Sequence, residues 1–197
     1  RAEFSGSLLK QVNDVYEYID KYNRTRAELS GLKRIDTRDY PPEAVREALL
    51  NAVVHRDYSY SGSVLISIFD DRIELVSLGG LPKGIARSDL MLGVSVLRNS
   101  RLANVFYRLH LIEAFGTGIP KIMECYRGRQ VQPIIEVSDN ALKVTLPNTN
   151  LRRELSVECD GLSDTERKVM DYLIGRDAAS RREIEAAIGL SQSTTIR

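Results

Sequence analysis

The stretch Tyr40-Pro-Pro-Glu-Ala-Val-Arg-Glu-Ala-Leu-Leu-Asn-Ala-Val-Val-His-Arg-Asp57 decides the fold, because two prolines stand directly before a run of strong helix formers. Proline is tolerated in the first turn of a helix but not in its interior, so a helix is predicted to start near Pro42. Apolar residues recur along this helix at the spacing of a single face: Val45, Ala48, Leu49, Ala52 and Val53.

A polar row runs along the same helix beside the apolar face. Glu47, Asn51 and His55 are each four residues apart and therefore lie above one another. A carboxylate, a carboxamide and an imidazole that converge on a cleft can hold a water molecule and a hard cation. The same spacing also fits three polar side chains that satisfy one another, and spacing alone favours this structural interpretation.

The flanking segments predict a mixed α+β fold. Residues 7 to 29 keep a helical period of apolar residues, so they are predicted to form one helix that ends at Ser30-Gly31, with a connecting strand or loop over 31–40. Alternating apolar residues predict two hairpins, 63–69 with 72–78 and 133–137 with 141–146. Two further helices are predicted, over 102–113 and 119–126.

Two glycine-rich turns are candidates for contact with a ligand. Gly79-Gly80-Leu81-Pro82-Lys83-Gly84 follows a strand, and backbone without side chains permits close approach. Gly116-Thr117-Gly118 leads directly into a helix, whose N-terminus attracts anions, although such a turn is often only a tight connection. Residues 85 to 101 between them are irregular and basic, and are predicted to form a mobile lid.

Composition limits the class of protein. The chain has 197 residues, a net charge of +1, and no apolar run long enough to span a membrane. Cys125 and Cys159 have no metal-site spacing, so a reducing cytoplasm is the expected location. The chain lacks both a signal peptide and an initiator methionine, so we expect an excised piece of a longer protein. With a net charge of only +1, any contact with nucleic acid must be local.

The C-terminal residues differ in character from the rest. A polar linker is predicted over 148–161, after a first domain over 1–147, and the start of a winged helix-turn-helix over 162–197. Ser163 with Glu166 and Ser180 with Glu183 form capping boxes, and a third helix is predicted from Ser191. The chain stops inside that helix. Candidate DNA contacts in this region are Arg181, Arg182, Gln192, Ser193, Thr194 and Arg197.

The ordered motifs resemble a family of ATPases. Glu47-x3-Asn51-Ala-x2-His55 resembles the N box of the GHKL superfamily, which includes gyrase and histidine kinases, and the two glycine turns resemble its glycine boxes. The chain is more closely similar, over residues 5 to 147, to the C-terminal ATPase-like domain of bacterial and archaeal transcriptional regulators. These regulators begin with a Schlafen-like, Alba-type domain and are often labelled ATP-dependent DNA helicase-related. The matching motifs are His55-Arg56-Asp57-Tyr58, Gly79 to Pro82, Arg98-Asn99 and Gly116 to Ile119.

The resemblance implies a two-layer α/β sandwich with ATP bound between the sheet and the N-box helix. It assigns Glu47 to the attacking water and Asn51 to Mg²⁺. The remaining nucleotide contacts that it implies are His55, Ser77, Gly79, Gly80, Gly84, Arg98, Asn99, Gly116, Thr117 and Gly118. For Arg98, an exposed basic loop is the alternative to a phosphate contact.

One position departs from the family pattern. Ser77 stands where active members have the aspartate that accepts the adenine amino group, and Leu81 replaces the second glycine of that box. A hydrogen bond to a charged group contributes roughly 1.5–3 kcal/mol, which is about ten- to a hundredfold in affinity.

Three hypotheses follow for the function. The first is a transcriptional regulator, in which an ATP-binding domain is coupled to DNA-binding modules. The second is a Mg²⁺-dependent, weak ATPase that acts on nucleic acid; a helicase motor of the P-loop type is disfavoured because the chain has no Gly-x4-Gly-Lys-Ser/Thr. The third is a nucleotide-free interaction scaffold or homodimer. The absence of the aspartate favours the first and third hypotheses.

Overall fold

The computed structural model of the chain describes residues 1–82, 84–92, 94, 96–112, 118–151, 163–173 and 180–188. The chain forms two compact units, Arg1–Leu151 and Arg152–Arg197. The division into 1–147, 148–161 and 162–197 stays a prediction.

The first unit mixes helices with strands, as predicted. Its elements in chain order are α1 (Leu8–Tyr22), β1 (Thr25–Ser30), β2 (Lys33–Arg38), α2 (Pro42–Val54), β3 (Leu65–Ile68), β4 (Arg72–Leu78), α3 (Arg87–Met91), α4 (Ser100–Arg108), α5 (Gly118–Cys125), β5 (Ile134–Val137) and β6 (Ala141–Pro147). The start of α2 at Pro42 and both predicted hairpins are confirmed. The first strand of the first hairpin is shorter than predicted.

A four-stranded antiparallel sheet of order β3-β4-β6-β5 forms one wall of the core. Leu75 on β4 pairs with Val144 on β6, which in turn pairs with Ile135 on β5. All three side chains are buried. Helix α2 packs on β4, β6 and α5. The predicted apolar face of α2 is confirmed, because the following residues are buried: Ala44, Val45, Ala48, Leu49, Leu50, Ala52, Val53 and Val54.

The predicted helix over 7–29 is wrong beyond Tyr22. The side chain of Asn23 is buried, donates to the carbonyl oxygen of Tyr40 at 2.8 Å and accepts from the Tyr40 N–H at 2.9 Å. This contact ties the chain after α1 to the residues that precede α2. Residues 25–30 then pair with residues 33–38 as an antiparallel hairpin. The end of α1 is fixed by a contact between residues 17 positions apart. Such a contact cannot be predicted from local sequence periodicity.

The region from residue 85 to 113 also differs from the prediction. Helix α3 lies within the segment predicted to be irregular, and α4 begins at Ser100, before the predicted start. Helix α4 ends at Arg108, because His110 adopts a positive φ of 56° that a helix does not allow.

The second unit contains two described helices, α6 (Asp164–Leu173) and α7 (Arg181–Ile188), which contact each other. Both predicted capping boxes are confirmed. The Ser163 N–H donates to Glu166 Oε2 at 2.8 Å, and the Ser180 N–H donates to Glu183 Oε2 at 2.7 Å. The predicted third helix from Ser191 lies outside the described residues. Within the described ranges, no helix is long and apolar enough to cross a membrane.

Candidate functional site

A cleft of about 100 Å³ lies over the polar row of α2. Its walls are the C-terminal half of α2, the end of β4 with the turn that follows, the start of α5, and six residues of the segment before α4: Ile85, Leu90, Val94, Val96, Leu97 and Arg98. The polar residues that line it are Glu47, Asn51, His55, Ser77 and Arg98, and its glycines are Gly79, Gly80 and Gly118. The apolar lining includes Leu50, Val54, Ile85, Leu90, Leu97 and Leu142. The cleft therefore combines one polar side with a largely apolar remainder.

Glu47, Asn51 and Gly118 meet within the cleft. Asn51 Nδ2 donates to the Glu47 carbonyl oxygen at 2.9 Å and lies 3.5 Å from Glu47 Oε1. A Cβ atom on Gly118 would stand 2.3 Å from Asn51 Nδ2 and 2.7 Å from Glu47 Oε1. Only glycine fits there without displacing both side chains. Gly118 is also the first residue of α5, where helical N–H groups lack partners within the helix.

Glu47 is a partly buried carboxylate, since 14% of its side chain is exposed. Its Oε2 lies 3.9 Å from Arg46 Nη1 on the same helix. Carboxylate and amide oxygens are the ligands that Mg²⁺ prefers. Among the described residues no group of three or more His, Cys, Asp or Glu could hold a metal ion. Any cation here would therefore depend on the amide oxygen of Asn51 and on ligand oxygens as well as Glu47.

His55 caps the C-terminus of α2 and lines the cleft. Burial lowers the pKa of the imidazole, and the positive charge of Arg98 lowers it further. His55 is therefore neutral at neutral pH. A neutral imidazole presents one donor and one acceptor, so it can form a hydrogen bond without adding charge to the cleft.

Ser77 occupies the buried end of β4, with 3% of its surface exposed. Its hydroxyl donates to the Ala52 carbonyl oxygen at 2.9 Å and so ties the sheet to α2. This bond uses the only hydroxyl hydrogen. Toward the cleft, Ser77 therefore offers acceptor lone pairs alone, without the negative charge that an aspartate at this position would carry.

The first glycine turn is shaped by the protein's own packing. Gly79 has a φ of 108°, and a Cβ there would lie 2.9 Å from Asp57 Cβ. A Cβ on Gly80 would lie 2.3 Å from the Asp139 carbonyl oxygen. Leu81 and Pro82 line the cleft, whereas Gly84, with a φ of 86°, is outside the lining. Close packing against Asp57, together with the positive φ, therefore accounts for Gly79, and close packing against the backbone of Asp139 accounts for Gly80.

Arg98 and Asn99 bind other parts of the protein. Arg98 Nη1 donates to Asp57 Oδ2 at 2.6 Å, and its Nη2 donates to the Gly80 carbonyl oxygen at 2.7 Å. Asn99 Nδ2 donates to the carbonyl oxygens of Val54 and Arg56, and Asn99 is not on the described lining of the cleft. Asp57 was not among the predicted site residues. Its place in the His-Arg-Asp-Tyr motif was the available signal.

The remaining candidate residues lie outside the described part of the chain or in the second unit. Gly116 and Thr117 lie outside the described residues, as do Gln192, Ser193, Thr194 and Arg197. Arg181 is exposed at the start of α7, and Arg182 follows it in that helix.

Residues 62–146 match the family model described as "Putative ATP-dependent DNA helicase recG C-terminal". An ATPase-like domain related to the recG C-terminus is therefore present. The matched span holds the four-stranded sheet except for Pro147, the first glycine turn and Gly118 of the cleft. Glu47, Asn51 and His55 precede it.

The fold is similar to that of the DIP2311 protein from Corynebacterium diphtheriae, with a TM-score of 0.68 and 20% sequence identity. The similarity covers 98% of this chain and 41% of that protein, so this chain spans less than half of its length. No match was found among curated proteins.

Proposed function

We propose that the first unit is the ATP-binding regulatory domain of a transcriptional regulator and is coupled to DNA-binding modules. The observation that carries the proposal is the convergence of Glu47, Asn51 and Gly118 in a cleft that Ser77 also lines. The first three residues offer oxygen ligands and an anion-attracting helix start, while Ser77 offers an acceptor beside apolar walls. These are complementary to the phosphates and to the base of a nucleotide.

The residues present fit Mg-ATP. The amide oxygen of Asn51, with the carboxylate of Glu47 nearby, would hold Mg²⁺, which neutralises phosphate charge when it is bound. The N–H groups at the start of α5 favour phosphate. On the base side, Ser77 accepts a hydrogen bond from an exocyclic amino group, and the apolar side chains of Leu50, Val54 and Leu142 provide packing surface. The GHKL type of two-layer sandwich is supported by the packing of α2 on β4 and β6.

A second candidate function is weak Mg²⁺-dependent hydrolysis of ATP. The placement of Glu47 beside Gly118, where phosphates would lie, favours it. A carboxylate at that place can orient a water molecule or accept its proton. Hydrolysis and regulation are compatible, because turnover would limit how long the nucleotide-bound state lasts.

The DNA-binding part of the proposal concerns the second unit. Its support is the pair of capped helices α6 and α7, which are typical of the start of a helix-turn-helix. The proposed contacts in this unit are Arg181, Arg182, Gln192, Ser193, Thr194 and Arg197. Residues 151–197 carry eight positive and nine negative side chains, so long-range attraction to phosphate is weak. We therefore expect this chain to bind duplex DNA weakly at physiological salt.

Fluorescence anisotropy of labelled duplex DNA, with and without Mg-ATP, tests the coupling. If the domain is regulatory, Mg-ATP changes the affinity of this chain for DNA at low salt, and that affinity falls as salt rises. A Gly118→Ala variant, whose cleft is obstructed, serves as the control and loses the response to ATP. An unchanged DNA affinity at saturating Mg-ATP would refute the regulatory role, and no binding to any duplex would refute the DNA-binding role.

A further inference from the structure

The guanidinium group of Arg98 connects its own segment, which precedes α4, to the residues after α2 and to the turn after β4. Its two terminal nitrogens donate to Asp57 and to the Gly80 carbonyl oxygen, at 2.6 and 2.7 Å. Arg98 itself directly precedes Asn99 and α4. The side chains of Arg98 and Asp57 are 26% and 24% exposed, so the ion pair is partly shielded from water. Hydrogen bonds from a charged guanidinium to a carboxylate are stronger than bonds between neutral groups, and partial burial reduces their screening by solvent.

The partners of Arg98 are themselves fixed. Asp57 Oδ1 accepts from the N–H of Ser59 at 3.0 Å and from its hydroxyl at 2.7 Å. The Asp57 N–H donates to the Leu78 carbonyl oxygen at 2.7 Å, and Gly79 packs on Asp57 Cβ. Both Asp57 carboxylate oxygens therefore accept hydrogen bonds. The residues after α2 contact the end of β4 twice, through the bond from the Asp57 N–H to Leu78 and through the packing of Gly79 on Asp57.

We propose that Arg98 is a positioning residue: together with Asp57 it straps the Gly79–Gly80 turn to the end of α2 and so sets the width of the cleft. This strap, Arg98 with Asp57 and the Gly80 carbonyl, replaces the phosphate contact that the sequence motif predicts for Arg98. The proposal extends the proposed nucleotide-binding function and depends on that function for the identity of the ligand. The contacts of Arg98 themselves are all within the protein and do not depend on the ligand.

The strap holds in place residues that would contact the base of a bound nucleotide and residues that would contact its phosphates. It holds β4, which carries Ser77, against α2, which carries Asn51 and His55. It also joins these elements to the segment before α4, from which Leu90 and Leu97 line the cleft. Loosening the strap should therefore weaken contacts to the base as much as contacts to the phosphates. A direct phosphate contact would affect only ligands that carry phosphate.

The variant Asp57→Asn separates the two roles by sign. If Arg98 contacts phosphate, removal of the competing carboxylate frees the guanidinium and removes a repulsive charge, so ATP binds more tightly. If Arg98 is a strap, the loss of the charged hydrogen bond loosens the cleft, and ATP binds about tenfold more weakly. Tighter ATP binding by Asp57→Asn, measured by calorimetry, would overturn the proposal.

The variant Arg98→Lys separates the roles by ligand. Lysine keeps the charge but has no planar fork, so it cannot bridge Asp57 and the Gly80 carbonyl together. The strap predicts the same loss of affinity, about tenfold, for adenosine and for ATP. A phosphate contact predicts a loss for ATP alone, and that result would contradict the strap. Arg101→Lys is the matched control, because Arg101 is exposed on α4 and should leave both affinities unchanged.

Amide hydrogen exchange tests the strap without a ligand. In Arg98→Lys and in Asp57→Asn, protection of the Asp57 and Gly79 amides should fall about tenfold, with amides of the α1 interior unchanged. A general loss of stability would instead lower protection throughout the core, and unchanged exchange at both amides would overturn the proposal. If the native chain binds neither adenosine nor ATP, the nucleotide function fails, and this measurement alone decides the strap.

Discussion

Gly118→Ala is the substitution that should most directly obstruct the cleft. The added methyl carbon would stand 2.3 Å from Asn51 Nδ2, 2.7 Å from Glu47 Oε1 and 3.0 Å from Asn51 Oδ1, where ordinary contact begins near 3.4 Å. The obstructing atoms are the ends of two side chains, not backbone, so both side chains can move away. The fold should survive while the ligand-binding arrangement of Glu47 and Asn51 is lost.

The cost in stability can be estimated from the contacts that change. Displacement of Asn51 breaks its hydrogen bond to the Glu47 carbonyl, which contributes about 0.5–1.5 kcal/mol. Moving a side chain off its preferred rotamer costs about 0.5–1.5 kcal/mol. Alanine in place of glycine favours the helix by up to about 1 kcal/mol. The free energy of unfolding should therefore fall by roughly 0–3 kcal/mol, whereas the affinity for Mg-ATP should fall by about tenfold or more.

Urea denaturation and calorimetric titration of Gly118→Ala measure these two quantities. Asn51→Ala provides the control, because it removes the side chain nearest to the new methyl group. In the Asn51→Ala background, Gly118→Ala should cost less stability than in the native chain, and the difference reports the contact between the two positions. Additive stability effects, or nucleotide binding that survives Gly118→Ala, would refute this account of the cleft.

Three further outcomes follow from the same geometry. Glu47→Ala should abolish any ATP turnover and leave binding largely intact, whereas Asn51→Ala should weaken Mg²⁺-dependent binding; equal turnover in Glu47→Ala and the native chain would contradict the catalytic role. Ser77→Ala leaves the buried Ala52 carbonyl without its donor, so urea denaturation should show a loss of about 1–3 kcal/mol, and a neutral effect would contradict the buried hydrogen bond. The pKa of His55 is lowered in the folded chain, so below a pH of about 6.5, the unfolded value, unfolding takes up a proton and the free energy of unfolding falls as the pH falls. His55→Gln should flatten this decline of stability with pH, and an unchanged pH profile of stability would contradict the buried, neutral imidazole.

The part of the fold that the sequence predicted correctly depends on local chemistry. Prolines at 41 and 42 fix where α2 begins, and alternating apolar residues on either side of Asp70-Asp71 fix a hairpin. Both capping boxes were also readable, because a serine and a glutamate three residues apart satisfy each other within one turn.

The part that failed depends on distant contacts. The end of α1 is set by Asn23 bonding to Tyr40, and residues 25–30 become a strand because residues 33–38 pair with them. An alternation of Thr25, Ala27 and Leu29 was present, but the helical period before it was stronger. The local sequence of residues 25–30 is compatible with both helix and strand, and pairing with residues 33–38 decides in favour of the strand.

The sequence predicted which α2 residues line the candidate site, but it did not predict what every candidate residue binds. The spacing of Glu47, Asn51 and His55 placed all three on one side of α2, and the structure places all three on the cleft. The use of Arg98 and Asn99 was not predictable, because their partners lie some 40 residues away along the chain. The motif marked these residues as special without indicating that they bind protein.

Isothermal titration of the chain with ATP, in the presence and absence of Mg²⁺, tests the central claim most directly. The account predicts saturable binding at one site per chain, weakened when Mg²⁺ is removed and weakened again in Gly118→Ala. The missing aspartate predicts that the affinity is modest, since Ser77 accepts without charge. A folded chain that gives no heat of binding with ATP at any Mg²⁺ concentration would contradict the nucleotide-binding role.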